Sequence, residues 1–586
     1  MAAKLSLIAR VRDRERTPGI VLSTALALLV LPPLIQVLAN PRQLFARVAP
    51  DTFYYLVVGR NAGLHASISF DGEHASNGFH PLWQAFVSLL YAFRLPGTGT
   101  HWDLFYLVAT GLVLLALSLI CLSGLFRRPD GSLNPLFVLM PVGAYALLVC
   151  AAWLAVPLQQ IAAENYWEGG DAVYGTMWRD ANGMESAAVV AAYCWLLHAC
   201  VFWDWEHDSA RAAKLGGLLA LLGFARLDHW CFSILIWAWL TLRAVRSEAS
   251  GARRRWFAMT VTFVAAVAVY LFVNELIFGS AVPVSGRLKS SWPMPTASNA
   301  RALFELVGWI FGRARPPFFL IWRALQSALP ALIALLSPLA LLDVKASGGA
   351  LLVSWAGPRP RLSQSLAVTA LGVLVLHGYD FFFVRIEHQG NWYYPVSILF
   401  VSVLALQAAE RVRPWVRERF GITGVRSHLV ELSLCGALAL LVLAFYLRFD
   451  RIPGYHDAFA NFYFEEAPRV RATFAANPPR LLELDDGIVA YATGFQAMSA
   501  TGSGLDLEGA RAFEQGTLVQ LALSRGFDHV TSVVYLDFAA LGRGPSPQAL
   551  RMFMLRSDVN LSKAAQLPLQ LAYRAEHGRF GIVKVN

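Results

Sequence analysis

Long apolar runs divide the chain, and clusters of basic residues recur in every second gap between them. No other feature restricts the fold so sharply. Runs of spanning length lie near 18–39, 104–126, 134–156, 186–205, 213–227, 229–245, 256–278, 317–342, 365–384, 393–409 and 428–447. A helix needs about 20 apolar residues to cross the hydrocarbon core. The pattern therefore predicts a polytopic α-helical membrane protein with about eleven transmembrane helices. The fifth and sixth runs are short, and a hairpin that barely crosses is expected there. Composition agrees: 56% of the 586 residues are hydrophobic and 15% charged, with a mean hydropathy of +0.48. A soluble domain carries about 25% charged residues.

Charge sets the orientation. The N-terminus, Arg127 with Arg128, Arg211 with Lys214, Arg243 to Arg255, Lys345 with Arg359 and Arg361, and Arg411 to Arg426 supply the basic gaps. By the positive-inside tendency these are cytoplasmic. The gaps 40–103, 157–185, 279–316 and 385–392 then lie outside, as does everything after 447. The net charge of +10 belongs to the cytoplasmic loops and does not point to a nucleic-acid partner. Lys4 to Arg16 precede the first run, which ends in Val37-Leu38-Ala39 as a signal peptide would. Its length is that of a span, so an uncleaved first helix is expected. All six cysteines fall inside apolar runs, without metal-binding spacing, so neither a disulfide framework nor a zinc site is indicated.

Two units follow: a membrane module over 1–447 and an extracytoplasmic α/β domain over 448–586. In the second, "RLLELDDGIVAYAT" and "HVTSVVYLDFAAL" read as short strands and "RFGIVKVN" as a last strand. "DLEGARAFEQGTLVQLALSRG" reads as one amphipathic helix closing on Gly526.

The chemistry is expected in the outer loops. In the first, Phe53, Leu56, Val57 and Leu64 recur at helical spacing after Asp51, and His80 to Phe93 is apolar but short. Two juxtamembrane helices lying along the membrane surface fit this pattern. Asp51 begins the first of them, where a carboxylate either serves the helix N-terminus or acts as a base at the water–lipid boundary.

"DTFYYLVVGRNAG…ISFDGEHASNGFHPLW" resembles the first outer loop of bacterial GT-C glycosyltransferases. The likeness continues in order through "ANGMES", "LLGFARLDHWCF", "FGSAVPVSGRLKS" and "NWYYPV". The family's enzymes are integral membrane proteins that take a sugar from a polyprenyl phosphate. The resemblance implies that Asp51 is the general base and that a metal is not obligatory; a divalent ion is compatible with the chain but not indicated. The family often carries two adjacent acids, and here Pro50 stands in place of the first.

An acceptor hydroxyl must lose its proton as it attacks, and a lipid-phosphate leaving group needs cationic partners. Lys289 matches the family's P-x-S/T-x-x-x-K pattern, with Arg287 beside it; the alternative is a lysine snorkelling at the interface. Arg226 and Asp228 interrupt an apolar stretch, as a structural pair or as holders of the donor phosphate or sugar. Glu185 is an interface acid or a contact to substrate. His80, Arg385 and His388 are candidates to line the cavity, and Tyr54 and Tyr55 are either interfacial belt or sugar platform.

The expected activity is transfer of a sugar from a polyprenyl-phosphate donor to a glycan, lipid or protein acceptor, with inversion, at the outer face of a bacterial inner membrane. Membrane lipids are the other expected partners. Two alternatives stay open: a flippase or transporter of lipid-linked sugars, and a noncatalytic scaffold, which the Pro50 departure keeps in view. The sugar and the acceptor are not legible in the sequence.

Overall fold

The computed structural model describes residues 37–45, 48–126, 181–291, 293–312, 329–336, 360–384, 393–404, 418–421, 455–485, 487–500, 504–533, 569–575 and 580–585, with isolated positions between 23 and 35. The expected spans near 134–156 and 428–447 lie outside the described residues, as do parts of those near 18–39, 317–342 and 393–409.

Among the described residues, three helices are long and apolar enough to cross a membrane: Trp102–Leu125, Ala252–Phe278 and Gln364–Phe383. Ser186–Phe202 and Pro395–Leu404 are shorter apolar helices. The site depends on eight helices: α1 (Asp51–His65), α2 (Pro81–Ala92), α3 (Trp102–Leu122), α4 (Ser186–Phe202), α5 (Ser209–Ala225), α6 (Trp230–Arg246), α7 (Ala252–Phe278) and α8 (Val284–Lys289). A ninth, α9 (Pro360–Phe383), packs on α6 and α4. The short fifth and sixth runs are α5 and α6, joined by a tight turn through Arg226 and a 3₁₀ segment, Leu227–His229.

Both helices expected in the first outer loop are present, but α1 is not a surface helix with one wet face. Thr52 through Gly59 are all buried. α2 covers one side of α1. The other meets the C-terminal segment, where the Phe53 ring lies 5.5 Å from that of Phe459 and 5.6 Å from that of Tyr491. A helix apolar on every face belongs inside the protein.

The C-terminal segment forms a five-stranded sheet: β1 (Leu481–Glu483), β2 (Ala497–Ser499), β3 (His529–Ser532), β4 (Leu569–Arg574) and β5 (Gly581–Val585). Its order is β2-β1-β3-β5-β4. β1 pairs in parallel with β2 and β3, while β5 pairs antiparallel with β3 and β4. Among the helices described around it are α10 (Ile488–Thr493), α11 (Leu507–Gln515) and α12 (Leu518–Ser524). Two expectations change here. The strand read across 480–493 stops at Glu483, whose carboxylate accepts the Val489 and Ala490 amides at 2.7 and 3.1 Å and so starts α10. The single helix read across 506–526 is two, broken at Gly516, whose φ of 68° suits glycine.

The sheet unit and the membrane helices share one apolar cluster, which runs from Phe53 and Trp83 to Phe459, Ile488 and Ile582. Polar ties reinforce it. Arg42 reaches Asn461 and Glu465, Arg480 reaches Glu73, and Tyr491 donates to the Thr100 carbonyl.

Candidate active site

Among the described residues, parts of the segments 40–103, 157–185 and 279–316 meet one another, together with the turn between α5 and α6. The stretch Asn77–Trp83 is where they are joined. Asn77 Oδ1 accepts the Val284 amide at 3.1 Å, which ties the segment leading into α8. His80 Nδ1 accepts the Leu227 amide at 3.2 Å, tying the turn between α5 and α6. Trp83 Nε1 donates to the Gly183 carbonyl at 2.9 Å, tying "ANGMES". Three side chains within seven residues thus hold three loops that are far apart in the chain.

"ANGMES" is also fixed against α1. The Ala49 amide and the Thr52 hydroxyl donate to the Asn182 carbonyl at 2.9 and 3.1 Å. Gly183 has a φ of +82°, and a Cβ there would lie 2.7 Å from Thr52 Cγ2. Only glycine satisfies both the backbone and the space. The consequence is the placement of Glu185, fully buried just before α4.

Glu185 and Arg226 form the centre of a buried polar network. Arg226 Nη1 lies 2.7 Å from Glu185 Oε1, and its Nε is 2.9 and 3.0 Å from the two oxygens of Asp228. The guanidinium lies over the Tyr393 ring, 4.2 Å from its centroid. Tyr55 donates its hydroxyl to Glu185 Oε2 at 3.2 Å and accepts the His80 amide at 3.2 Å. Burial, and then the Glu185 charge, push the Tyr55 phenol well above its usual value, which keeps it a donor. Burial opposes the charged form of Asp228, yet Arg226 and the adjacent His229 hold its carboxyl well below the usual range. Burial and the Arg226 charge bring the His80 imidazole down to about 3. His80 is therefore neutral at physiological pH. Its Nδ1 is an acceptor, so the ring proton sits on Nε2, which faces Glu185 Oε1 at 3.5 Å.

Above this network is the pair that carries most meaning. Lys289, at the end of α8, places Nζ 3.7 Å from Asp51 Oδ2 at the start of α1. Asp51 and Lys289 remain partly open to solvent, 18% and 29% exposed. Pro50, the N-cap residue, makes no side-chain capping bond.

The structure brings together Asp51 and Lys289, and separately Tyr55, His80, Glu185, Arg226 and Asp228. Tyr54 is packed, its ring 5.6 Å from that of Phe70. Arg287 is engaged elsewhere, its fork bidentate on Glu514 of α11. Arg385 and His388 lie outside the described residues. Asn77, Trp83 and Gly183 had no role assigned from sequence, although each lies in a quoted motif. Among the described residues, no three His, Cys, Asp or Glu side chains group as metal ligands would.

No family model and no curated protein matches the chain. Solved structures do. The chain is similar to ArnT from Cupriavidus metallidurans bound to undecaprenyl phosphate, at 14% identity over 96% of this chain and 97% of that one, with a TM-score of 0.49. It is similar to the apo state of the same protein at 13% identity, over 94% and 97% of the two chains, with a TM-score of 0.47. The Archaeoglobus fulgidus oligosaccharyltransferase in complex with zinc and sulfate follows at 12% identity, over 97% of this chain and 72% of that one, with a TM-score of 0.45.

Proposed function

We propose that the chain is a GT-C-type glycosyltransferase that moves a sugar from a polyprenyl-phosphate donor to a hydroxyl-bearing acceptor. The membrane module works at the outer face of a bacterial inner membrane, with the N-terminus cytoplasmic and residues 448–586 outside. The observation that carries the reading is the Asp51–Lys289 pair, a half-open carboxylate and ammonium 3.7 Å apart, brought together from two separate loops. The family motifs in those same loops support it.

The roles follow from charge. Asp51 takes the proton of the acceptor hydroxyl as its oxygen bonds to the anomeric carbon. The bond from that carbon to the phosphate oxygen breaks, and the polyprenyl phosphate leaves with the electron pair. Lys289 meets the charge that builds on this oxygen. One base and no covalent nucleophile give a single displacement with inversion. A positioned base contributes about 10²–10⁴-fold. Arg226 supports the wall of the site instead of touching the phosphate directly, because its Nε and Nη1 already serve Asp228 and Glu185. Tyr55 and His80 steady Glu185 from the other side.

The test uses the full chain in nanodiscs with synthetic polyprenyl-phosphate pentoses and hexoses. Release of free polyprenyl phosphate, by hydrolysis or transfer, is followed by mass spectrometry. Asp51→Asn should lose at least about 100-fold in turnover while donor still binds. Undiminished turnover in Asp51→Asn removes the base assignment. Lipid movement without release of phosphate would instead mark a flippase.

A further inference from the structure

α8 is six residues long. A helix of so few turns does not hold its own shape, so its geometry comes from what surrounds it. One hold is Asn77, which accepts the Val284 amide while Val284 itself is buried. A second lies at the far end, where the Ser291 amide donates to the Phe383 carbonyl at 2.7 Å. The third comes from the C-terminal unit. Arg287 Nε and Nη2 each lie 2.7 Å from an oxygen of Glu514 on α11. Leu288 packs against the apolar cluster of that unit, which includes Leu482, Met498, Leu505 and Leu518. Lys289 comes next and reaches Asp51. Three consecutive side chains thus connect the core of the C-terminal unit to the reactive pair.

We propose that Glu514 is a positioning residue for Lys289, so that the C-terminal unit forms part of the donor-phosphate site. The proposal rests on the reading that Lys289 meets that phosphate. A bidentate arginine–carboxylate fork sets orientation as well as distance, whereas a single contact to a lysine would not. The fork also explains why Arg287, next but one to Lys289, does not itself serve the donor. Leu288 gives the same connection an apolar component that salt does not screen. Because the ion pair is exposed, its loss leaves the fold standing and displaces only the short helix.

The experiment uses the full chain in nanodiscs and undecaprenyl phosphate as the probe, with two readouts: Kd, and amide hydrogen exchange over 284–290. Glu514→Ala and Arg287→Glu should each weaken binding about two- to fivefold, as an exposed ion pair allows. Each should also speed exchange over 284–290. The swap Arg287→Glu with Glu514→Arg should restore both. In a Lys289→Ala background, Glu514→Ala should have no further effect on Kd, since the two act through one group. An undiminished Kd in both single variants, or equal losses with and without Lys289, overturns the proposal. If the wild-type chain does not bind undecaprenyl phosphate, the donor reading falls by itself. Exchange over 284–290 then decides whether Glu514 positions the segment, and no change there removes that claim too.

Discussion

The backbone amide of Leu227 donates to His80 Nδ1 across 3.2 Å, and this bond decides which imidazole nitrogen carries the proton. With Nδ1 accepting, Nε2–H is the group that faces Glu185. Protonating Nδ1 would break the bond and add a positive charge close to Arg226.

Acid should therefore destabilise the protein through His80. Its folded value is about 3, against an ordinary value of 6.5. Between the two, the unfolded chain binds a proton that the folded chain does not. The stability it contributes is complete above about pH 6.5 and falls as pH drops toward 3, by up to about 1.4 kcal/mol per pH unit. His80→Gln keeps an acceptor and a donor but does not titrate. Melting curves in detergent from pH 7.5 to 5 should fall less steeply for the variant than for the wild type.

Removing the ammonium should affect the donor more than the fold. Lys289 is half-open, so Lys289→Met should leave the melting temperature within about 2 °C of wild type, as for a substitution near the surface. Turnover should fall about 100-fold or more, comparable to loss of an oxyanion donor. Lys289→Arg restores the charge but not the compact ammonium, and should recover turnover only in part. Initial rates at saturating donor check this; full activity in Lys289→Met would remove Lys289 from the leaving-group role.

Arg226 should behave in the opposite way. Its side chain is 3% exposed and neutralises two carboxylates. Arg226→Ala leaves the buried Glu185, and the part-buried Asp228, without their shared cation, at a cost of about 3–5 kcal/mol. Glu185→Gln keeps an acceptor for Tyr55 and should cost less. Yield of monodisperse protein and melting temperature should rank wild type, Glu185→Gln, then Arg226→Ala.

Gly183 is a strict local requirement. Gly183→Ala puts a Cβ 2.7 Å from Thr52 Cγ2 in a left-handed backbone, where strain costs about 1–3 kcal/mol. Thr52→Ala in the same chain removes the clash but not the strain, so it should recover only part of the lost melting temperature. Full recovery would mean that contact alone constrains this position.

Those four outcomes rest on residues whose legibility in the sequence differed for physical reasons. Asp51 and Lys289 stand out in the sequence because they lie in the loop motifs that resemble the family's, Lys289 at the end of its P-x-S/T-x-x-x-K pattern. Their closeness was not readable, because it depends on Asn77 and Glu514 holding α8 from two sides. Arg287 is the less specific of the two in the sequence, since the family pattern falls on Lys289, and its Glu514 partner gives it a separate role. For α1, the spacing of Phe53, Leu56 and Val57 suggested one apolar face. The intervening Tyr54, Tyr55 and Val58 already made it apolar all round, which points to burial. At 480–493 a short apolar run was ambiguous between strand and helix. Glu483 resolves it by accepting the Val489 and Ala490 amides, a contact between residues whose closeness local pattern does not give.

Because Asn77, His80 and Trp83 each hold a different loop, those loops form a single inherited set. A chimera that imports the segment around Lys289 from a related chain, while keeping the native 77–83 stretch, would place a foreign backbone against Asn77. Recombination breakpoints between 83 and 284 should therefore be tolerated only when a second crossover returns the segment leading into α8 to the parent that supplies 77–83. Attempts to alter donor choice by loop grafting should begin with the seven-residue stretch from Asn77 to Trp83 and move its three dependants with it.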